Sequence, residues 1–570
     1  MKHFFEILIR FTRDFLVFSR WRAAGLLLVS VLTGMTQGIG FFMLIPLFSL
    51  FEVGPPRSQS PESWPAALFH YLHIPPTFAS LLLVFFMLMT LAALLRYKQT
   101  TMTQHIQRTY ISRLQSRLFS GLIHAEWEFI SNRKASNLTH VITGDLPVVA
   151  TGTFSFLQIL SNSALALCYI FWAANISVLM TCIVLATVGM TFSLFRAYFS
   201  KSLDTGQVMR KARSGVFTVL MDHISGVKIA KSYGAENREQ KKFKEIVNRI
   251  SEESIRITRL NAGLNIWFNI LSSLVLCLML YIALVILSIP LADTAIIILL
   301  FSRLIPVLST LQNAFQRLAA MLPSFAAAED LYLRAQACRE LAGNSQDPPP
   351  DLKSELRLDK VSFRHKTEKN GFCIRNLSLK IPAFKTTAVC GPSGTGKSTL
   401  ADLISGILQP DTGAIIADGV RLTPRNLRAW RKSVGYVPQE VFLFHDTIRN
   451  NILWGNPDAT DEEISAALKA ASANRFVSML PDGLDTIVKD RGSRLSGGER
   501  QMIALARTLV RNPGLLILDE ATSSMDKKNE AAVFDSLSGL RGKMTILFIS
   551  HGQETLAHAD QVIRLPAETG

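Results

Sequence analysis

The stretch Gly391-Pro392-Ser393-Gly394-Thr395-Gly396-Lys397-Ser398-Thr399 has the spacing G-x-x-x-x-G-K-[ST]. Glycines so placed let successive backbone N–H groups turn inward at the positive end of a following helix, which suits a polyphosphate. From such a cradle Lys397 can reach the outer phosphates, and Ser398 can offer its hydroxyl to Mg2+. A second stretch, Leu515-Leu516-Ile517-Leu518, ends in the carboxylates Asp519 and Glu520. Four apolar residues in a row suit a central parallel strand, whose carboxyl end is where such sheets hold ligands. Asp519 would hold Mg2+ there through water, and Glu520 could polarise an attacking water. A third stretch, Leu495-Ser496-Gly497-Gly498-Glu499-Arg500-Gln501, sets a serine and two glycines at the start of a helical pattern, a second anion-recognising surface. One phosphate loop with two phosphate-recognising surfaces points to a head-to-tail pair of chains. Each nucleotide would lie between the loop of one copy and the helix start of the other.

These residues need a parallel sheet to hold them, and the sequence from residue 352 onward provides one. Short apolar runs alternate there with helical patterns, and Thr386-Thr387-Ala388-Val389-Cys390 reads as the buried strand feeding the glycine loop. Ahead of it, Ala342-Gly343-Asn344-Ser345-Gln346-Asp347-Pro348-Pro349-Pro350-Asp351 has the composition of a linker.

The first half of the chain is written for lipid. Of 570 residues 49 % are hydrophobic and only 18 % charged, below the quarter or so that soluble domains carry. Apolar runs of bilayer-spanning length predict six membrane helices at about 23–51, 78–97, 147–173, 177–197, 264–289 and 294–316. The net charge of +16 comes largely from one side of these spans, through Arg10, Arg13, Arg20, Arg22, Arg96, Arg113, Arg117 and the basic stretch 196–259. Positive residues stay cytoplasmic, so the N-terminus and everything after the sixth span are expected in the cytoplasm, with the protein integral to the inner membrane. The same asymmetry explains the basic balance without nucleic acid. Phe4, Leu8, Phe11, Phe15 and Phe18 recur at helical spacing and predict an interfacial helix over 1–22. The six cysteines form no C-x-x-C pair, which speaks against a zinc site or a disulfide framework.

The expected architecture is a membrane α-helical domain, six helices with long cytoplasmic extensions, followed by an α/β P-loop NTPase domain. The boundaries read as 1–22 interfacial helix, 23–323 membrane domain, 324–351 linker and 352–570 nucleotide domain.

Together the loop 391–399, the segment 495–501, the run 515–520 and the histidine of Ile549-Ser550-His551 resemble the nucleotide domain of ATP-binding cassette (ABC) proteins. With the preceding spans, the chain resembles an exporter-type half-transporter over nearly its whole length. The resemblance implies ATP and Mg2+ as cofactors, with Gly391, Ser393, Gly394, Thr395, Gly396, Lys397, Ser398 and Thr399 around the phosphates. It implies Ser496, Gly497, Gly498 and Asp526 on the nucleotide from the second copy, and Glu520, His551 and Gln439 in hydrolysis. It further implies Ser398, Gln439 and Asp519 around the metal. The stretch 486–492 resembles the exporters' segment before the signature, although Lys489-Asp490-Arg491-Gly492 stands where the family has Gly-Glu-Arg-Gly. His365 occupies the position where relatives stack a tyrosine on adenine, so weaker adenine affinity is expected. Coupling helices are expected near 127–131 and 213–222.

The resemblance implies ATP-driven alternating access that exports or flips an amphipathic cargo: lipid, lipid-linked glycan, peptide or drug. An ATP-gated channel or regulatory membrane ATPase is the alternative, against which the intact hydrolytic residues weigh. Arg303, ten residues after Asp293 and so about 15 Å into its helix, is expected near the bilayer centre. A mid-membrane arginine costs at least about 2.5–3.5 kcal/mol and usually faces a wet cavity. Arg303 is therefore a candidate for drawing an anionic group of the substrate. The partners expected are a second copy of the chain, or a related one, and membrane lipids.

Overall fold

The computed structural model describes residues 2–43, 77–287, 291–341, 350–365, 373–392, 394–489, 492–522, 525–550 and 556–565. Contacts divide the chain into two compact units, residues 1–123 with 133–337, and residues 124–132 with 338–570.

The first unit is helical. Its long helices are α1 (Lys2–Phe42), α2 (Phe78–Ile123), α3 (Leu146–Ile176), α4 (Val178–Ser225), α5 (Glu236–Tyr281) and α6 (Leu291–Ala337). Helix α2 alone has 46 residues, about 70 Å at 1.5 Å per residue, more than twice the hydrocarbon thickness of a bilayer. Among the described residues five helices are long and apolar enough to cross a membrane: Phe4–Phe42, Phe78–Ile123, Ala135–Ile176, Ile266–Ile286 and Thr294–Ala337. The run expected at 177–197 lies within α4 and is not among those five.

Three expectations change. The N-terminal stripe does not face lipid. Residues 2–42 form one helix kinked at Ser19, and Phe4, Phe11 and Phe15 are buried against Tyr110, Val149, Leu157, Leu322 and Phe325 of α2, α3 and α6. A stripe of phenylalanines every three or four residues demands an apolar partner, and here protein supplies it. Asp14 fastens the same helix, accepting from the Tyr110 hydroxyl at 2.8 Å and from Arg117 at 2.9 Å. Secondly, α6 runs through Pro306 and Pro323 to Ala337, so the linker begins about fourteen residues later than residue 324. Thirdly, residues 213–222 stay inside α4, and the short separate helix is Val227–Ser232. A short helix does cover the first expected stretch, Trp127–Ser131, and it groups with the second unit.

The second unit holds two sheets. Strands β1 (Glu355–Arg364), β2 (Cys373–Pro382), β4 (Thr412–Ala417) and β5 (Val420–Arg421) form an antiparallel sheet in the order β2-β1-β4-β5. Strands β3 (Thr386–Cys390), β6 (Val434–Val437), β7 (Leu515–Asp519), β8 (Thr545–Ile549) and β9 (Gln561–Arg564) form a parallel sheet in the order β6-β7-β8-β3-β9. Strands β7 and β8 are buried throughout. This is why their sequences are continuous apolar runs rather than alternations. One core lies between the two sheets around Leu356, Val389, Leu400, Trp430 and Ile517. The other lies beneath the helices around Ile448, Ile464, Ile503, Leu516 and Phe534.

Candidate nucleotide site

Strand β3 ends in the glycine loop, and helix α7 (Lys397–Ser405) starts directly after it. Gly394 and Gly396 have φ of 84° and 80°, a left-handed conformation that costs a side-chain-bearing residue about 1–2 kcal/mol. The turn therefore requires glycine at both places. Lys397 is buried, and its Nζ donates to the carbonyls of Gly391 at 3.0 Å and Pro392 at 2.8 Å. These two bonds hold the ammonium group against the loop that precedes its own helix. Thr395 donates to the Pro392 carbonyl at 3.0 Å and tightens the same turn. Thr399 lies in the first turn of α7. Ser393 lies outside the described residues.

Strand β8 separates β7 from β3, so the ends of β7 and β3 open on the same edge of the parallel sheet. Asp519, last residue of β7, is buried and hydrogen-bonded by the Ser398 hydroxyl. Burial raises its pKa, the negative charge of Glu520 adds to that, and Ser398 and the Lys397 charge pull the other way. Its Oδ1 is buried without a hydrogen-bond partner, a state that costs about 1–3 kcal/mol or more unless something satisfies it. A serine hydroxyl beside an unsatisfied carboxylate oxygen fits a hard, oxygen-seeking cation such as Mg2+.

Glu520 follows with φ of 46°, a conformation found at ligand sites more often than in ordinary loops. Its backbone N–H donates to Ile549 at 2.9 Å, and its Oε2 accepts from Gln439 Nε2 at 2.6 Å. Gln439 lies two residues past β6, so the fold brings together two residues eighty-one positions apart.

Ser496 caps helix α8 (Gly497–Leu509). Its Oγ accepts from the Glu499 N–H at 3.3 Å, while its own N–H donates to Glu499 Oε2 at 2.7 Å. This reciprocal cap fixes the helix start, with Ser496 exposed, Gly497 half-buried and Gly498 buried. Among the described residues, Ser496 is hydrogen-bonded within its own helix start, with Glu499 and Arg500. Asp526 caps the helix Lys527–Ser538 through Asn529 at 2.7 Å, so it has a structural duty besides any on nucleotide. His365 follows β1, half-buried, its ring edge-on to Phe363 at 4.9 Å. His551 lies outside the described residues. Within 486–492, Ile487 pairs with Thr447, while residues 490 and 491 lie outside the described set.

Sequence reasoning missed Asp402 and Tyr436. Asp402 sits in α7 among Leu400, Ala401, Leu403 and Ile404, and that single acid in an apolar stretch was the available signal. Burial pushes its carboxyl up to about 6, a bond from Tyr436 opposes this, and the charge of Asp519 adds to it. Burial likewise drives the Tyr436 hydroxyl well up. Between about pH 4 and 6 the folded chain thus keeps a proton that the unfolded chain releases. The stability carried by neutral Asp402 is complete below about pH 4 and lost as pH rises through 6, by about 1–3 kcal/mol. Asp402→Asn has no charge to bury. It is expected to raise the cassette's unfolding temperature by a few degrees at pH 8 and by nothing near pH 4, read by tryptophan fluorescence in EDTA.

The family model described as ABC transporter transmembrane region matches residues 26–306, and the one described as ABC transporter matches residues 374–523. The chain is 30 % identical over 463 residues to a Haemophilus influenzae protein named ATP-dependent lipid A-core flippase, covering 79 % of this chain and 77 % of that one. It is 27 % identical over 520 residues to the heterocyst differentiation ATP-binding protein HepA of Nostoc, covering 88 % and 81 %. A solved bacterial Atm1-family ABC exporter with ATP bound superposes with a TM-score of 0.79 at 23 % identity, over 96 % of this chain and 93 % of that one.

Proposed function

Because the chain belongs to the ABC transporter family, with membrane region and ATP-binding cassette in one polypeptide, we propose that two copies use Mg-ATP to flip an anionic, lipid-like amphipath across the inner membrane. ATP hydrolysis coupled to export is the activity of the exporter class to which it belongs. The homodimer, the six spans, the cytoplasmic cassettes, the metal and the cargo are our reading.

One observation carries it. Lys397, Ser398, Asp519, Glu520 and Gln439 gather at one sheet edge, while among the described residues Ser496 is bonded within its own helix start. Each chain thus holds a complete hydrolytic half and presents a second phosphate-binding helix start for another copy. With ATP in the glycine loop, the backbone N–H groups and Lys397 hold the phosphates, and Glu520 takes a proton from the attacking water, oriented by Gln439. Ser398 and Asp519 would hold Mg2+, which supplies charge neutralisation on the phosphates. Ser496 and the first turn of α8 in the facing copy complete the phosphate contacts, and Asp526 and His551 take the roles that the family resemblance implies for them. Since these contacts exist only when both copies close, ATP favours the closed state.

For the cargo, Arg303 is exposed on α6, and its guanidinium lies 5.9 Å from the centre of the Phe41 ring. Among the described residues it forms no ion pair. Arg96 of α2, like Arg303, forms no ion pair among the described residues, and the Tyr169 hydroxyl is bonded to Gln37. Two cations with no carboxylate among their described contacts support a cargo with an anionic headgroup, in keeping with the flippase name carried by the Haemophilus relative. Arg303→Ala is expected to raise at least fivefold the lipid concentration that half-saturates transport, with Arg303→Lys keeping most of the affinity. An unchanged value in Arg303→Ala would remove this residue from the cargo site.

The transport reading is tested in proteoliposomes carrying a fluorescent anionic lipid, with Mg-ATP supplied to outward-oriented cassettes and a membrane-impermeant quencher reporting sidedness. ATP-dependent movement in wild type and none in Glu520→Gln is expected. Equal movement in both without ATP would favour a channel.

A further inference from the structure

The chain leaves α6 at Ala337 and at once forms an antiparallel bridge, Ala125 to Arg339. Glu126 N–H donates to the Cys338 carbonyl at 2.8 Å, and Glu340 N–H to the His124 carbonyl at 2.9 Å. Glu340 is thereby fixed through its backbone to the residues just before the short helix Trp127–Ser131. Its carboxylate grips Arg431 with both oxygens, at 3.0 and 2.5 Å. Exposed ion pairs usually contribute little. This one is forked, its side chains are only 29 % and 32 % exposed, and one partner's backbone is held, all of which strengthen and orient it.

Arg431 belongs to the helix Leu427–Ser433, and that helix is bonded to three elements that adjoin the nucleotide site. Trp430, fully buried, donates from Nε1 to the Ile404 carbonyl at 2.8 Å, on the phosphate-loop helix α7. Arg511, two residues past α8, donates to the carbonyls of Arg431 and Lys432 at 3.2 and 3.0 Å. The helix then runs directly into β6, which ends two residues before Gln439. Displacing this short helix therefore displaces β6 and, with it, the Gln439–Glu520 pair.

We propose that Glu340 is a positioning residue for ATP hydrolysis. By holding Arg431 it sets the helix 427–433, and with it Gln439 and Glu520, according to the position of the chain emerging from α6. The pair acts on the rate of the chemical step rather than on nucleotide affinity, because neither residue is among those that hold the phosphates.

The test uses the full-length protein in vesicles of phosphatidylethanolamine and phosphatidylglycerol, with kcat, KM for Mg-ATP and unfolding temperature measured together. Glu340→Gln and Arg431→Gln are each expected to lower kcat three- to tenfold with KM within twofold of wild type. The exchanged pair, Glu340→Arg with Arg431→Glu, is expected to regain at least half of the wild-type kcat. Single variants with kcat within 1.5-fold of wild type overturn the proposal. So does an exchanged pair that regains thermal stability but not kcat, which would leave the ion pair a structural role only.

Discussion

Glu520→Gln is expected to lower ATP turnover by two to four orders of magnitude while leaving ATP binding intact. Removing a positioned general base costs about 10²–10⁴ in rate, equivalent to about 3–5 kcal/mol of barrier. The substitution keeps size and shape, and glutamine at φ of 46° is strained to much the same degree as glutamate, so the fold has no reason to change. The amide oxygen can still accept from Gln439. What is lost is the ability to take a proton from water. The protein should therefore load ATP, close and stay closed, with nucleotide retained on the protein after gel filtration and phosphate release near background. Turnover within threefold of wild type would assign the proton transfer to another group.

Lys397→Ala and Ser496→Arg are each expected to reduce turnover at least a hundredfold, for different reasons. Lys397 is pinned to its own loop by the carbonyls of Gly391 and Pro392. Truncation removes both the charge offered to the phosphates and two bonds that shape the loop, so ATP affinity itself should fall. Among the described residues of its own chain, Ser496 is bonded to Glu499 and Arg500. An arginine there breaks the reciprocal cap, costing roughly 1 kcal/mol of helix stability, and places a long side chain at the face a second copy must approach. The open chain should still bind ATP at its own loop, because Lys397, Ser398 and Asp519 are untouched. Affinity is thus the measurement that separates the two variants: lost in the first, kept in the second.

The membrane helices were legible because bilayer thickness imposes a length that soluble helices rarely reach without charge. The strand–loop–helix around Gly391 and the strand ending at Asp519 were legible for a similar reason, since a glycine turn and a fully buried strand each leave few residue choices. The fate of the N-terminal stripe was not. Phe11 and Phe15 announce an apolar face, but the spacing is the same whether lipid or the Tyr110 and Phe325 rings cover it. The membrane domain reads as ending at residue 323, yet α6 passes through Pro323 to Ala337, since neighbouring helices can compensate a lost backbone bond. The pairing of Gln439 with Glu520, the Asp402–Tyr436 contact and the grip of Glu340 on Arg431 join residues 34 to 91 positions apart. Such long-range polar pairs leave no periodic trace in a single sequence.

The central claim is that each ATP is clamped between two copies, and complementation between Lys397→Ala and Ser496→Arg tests it most directly. Differently tagged chains are co-expressed, and the mixed dimer is isolated by two successive affinity steps. In a head-to-tail pair, both lesions fall in one site and the other site is built wholly from intact residues. ATP turnover should then rise at least tenfold above either parent. Activity of the mixed dimer no higher than that of its parents would mean that each site is contained in one chain, and would contradict the account.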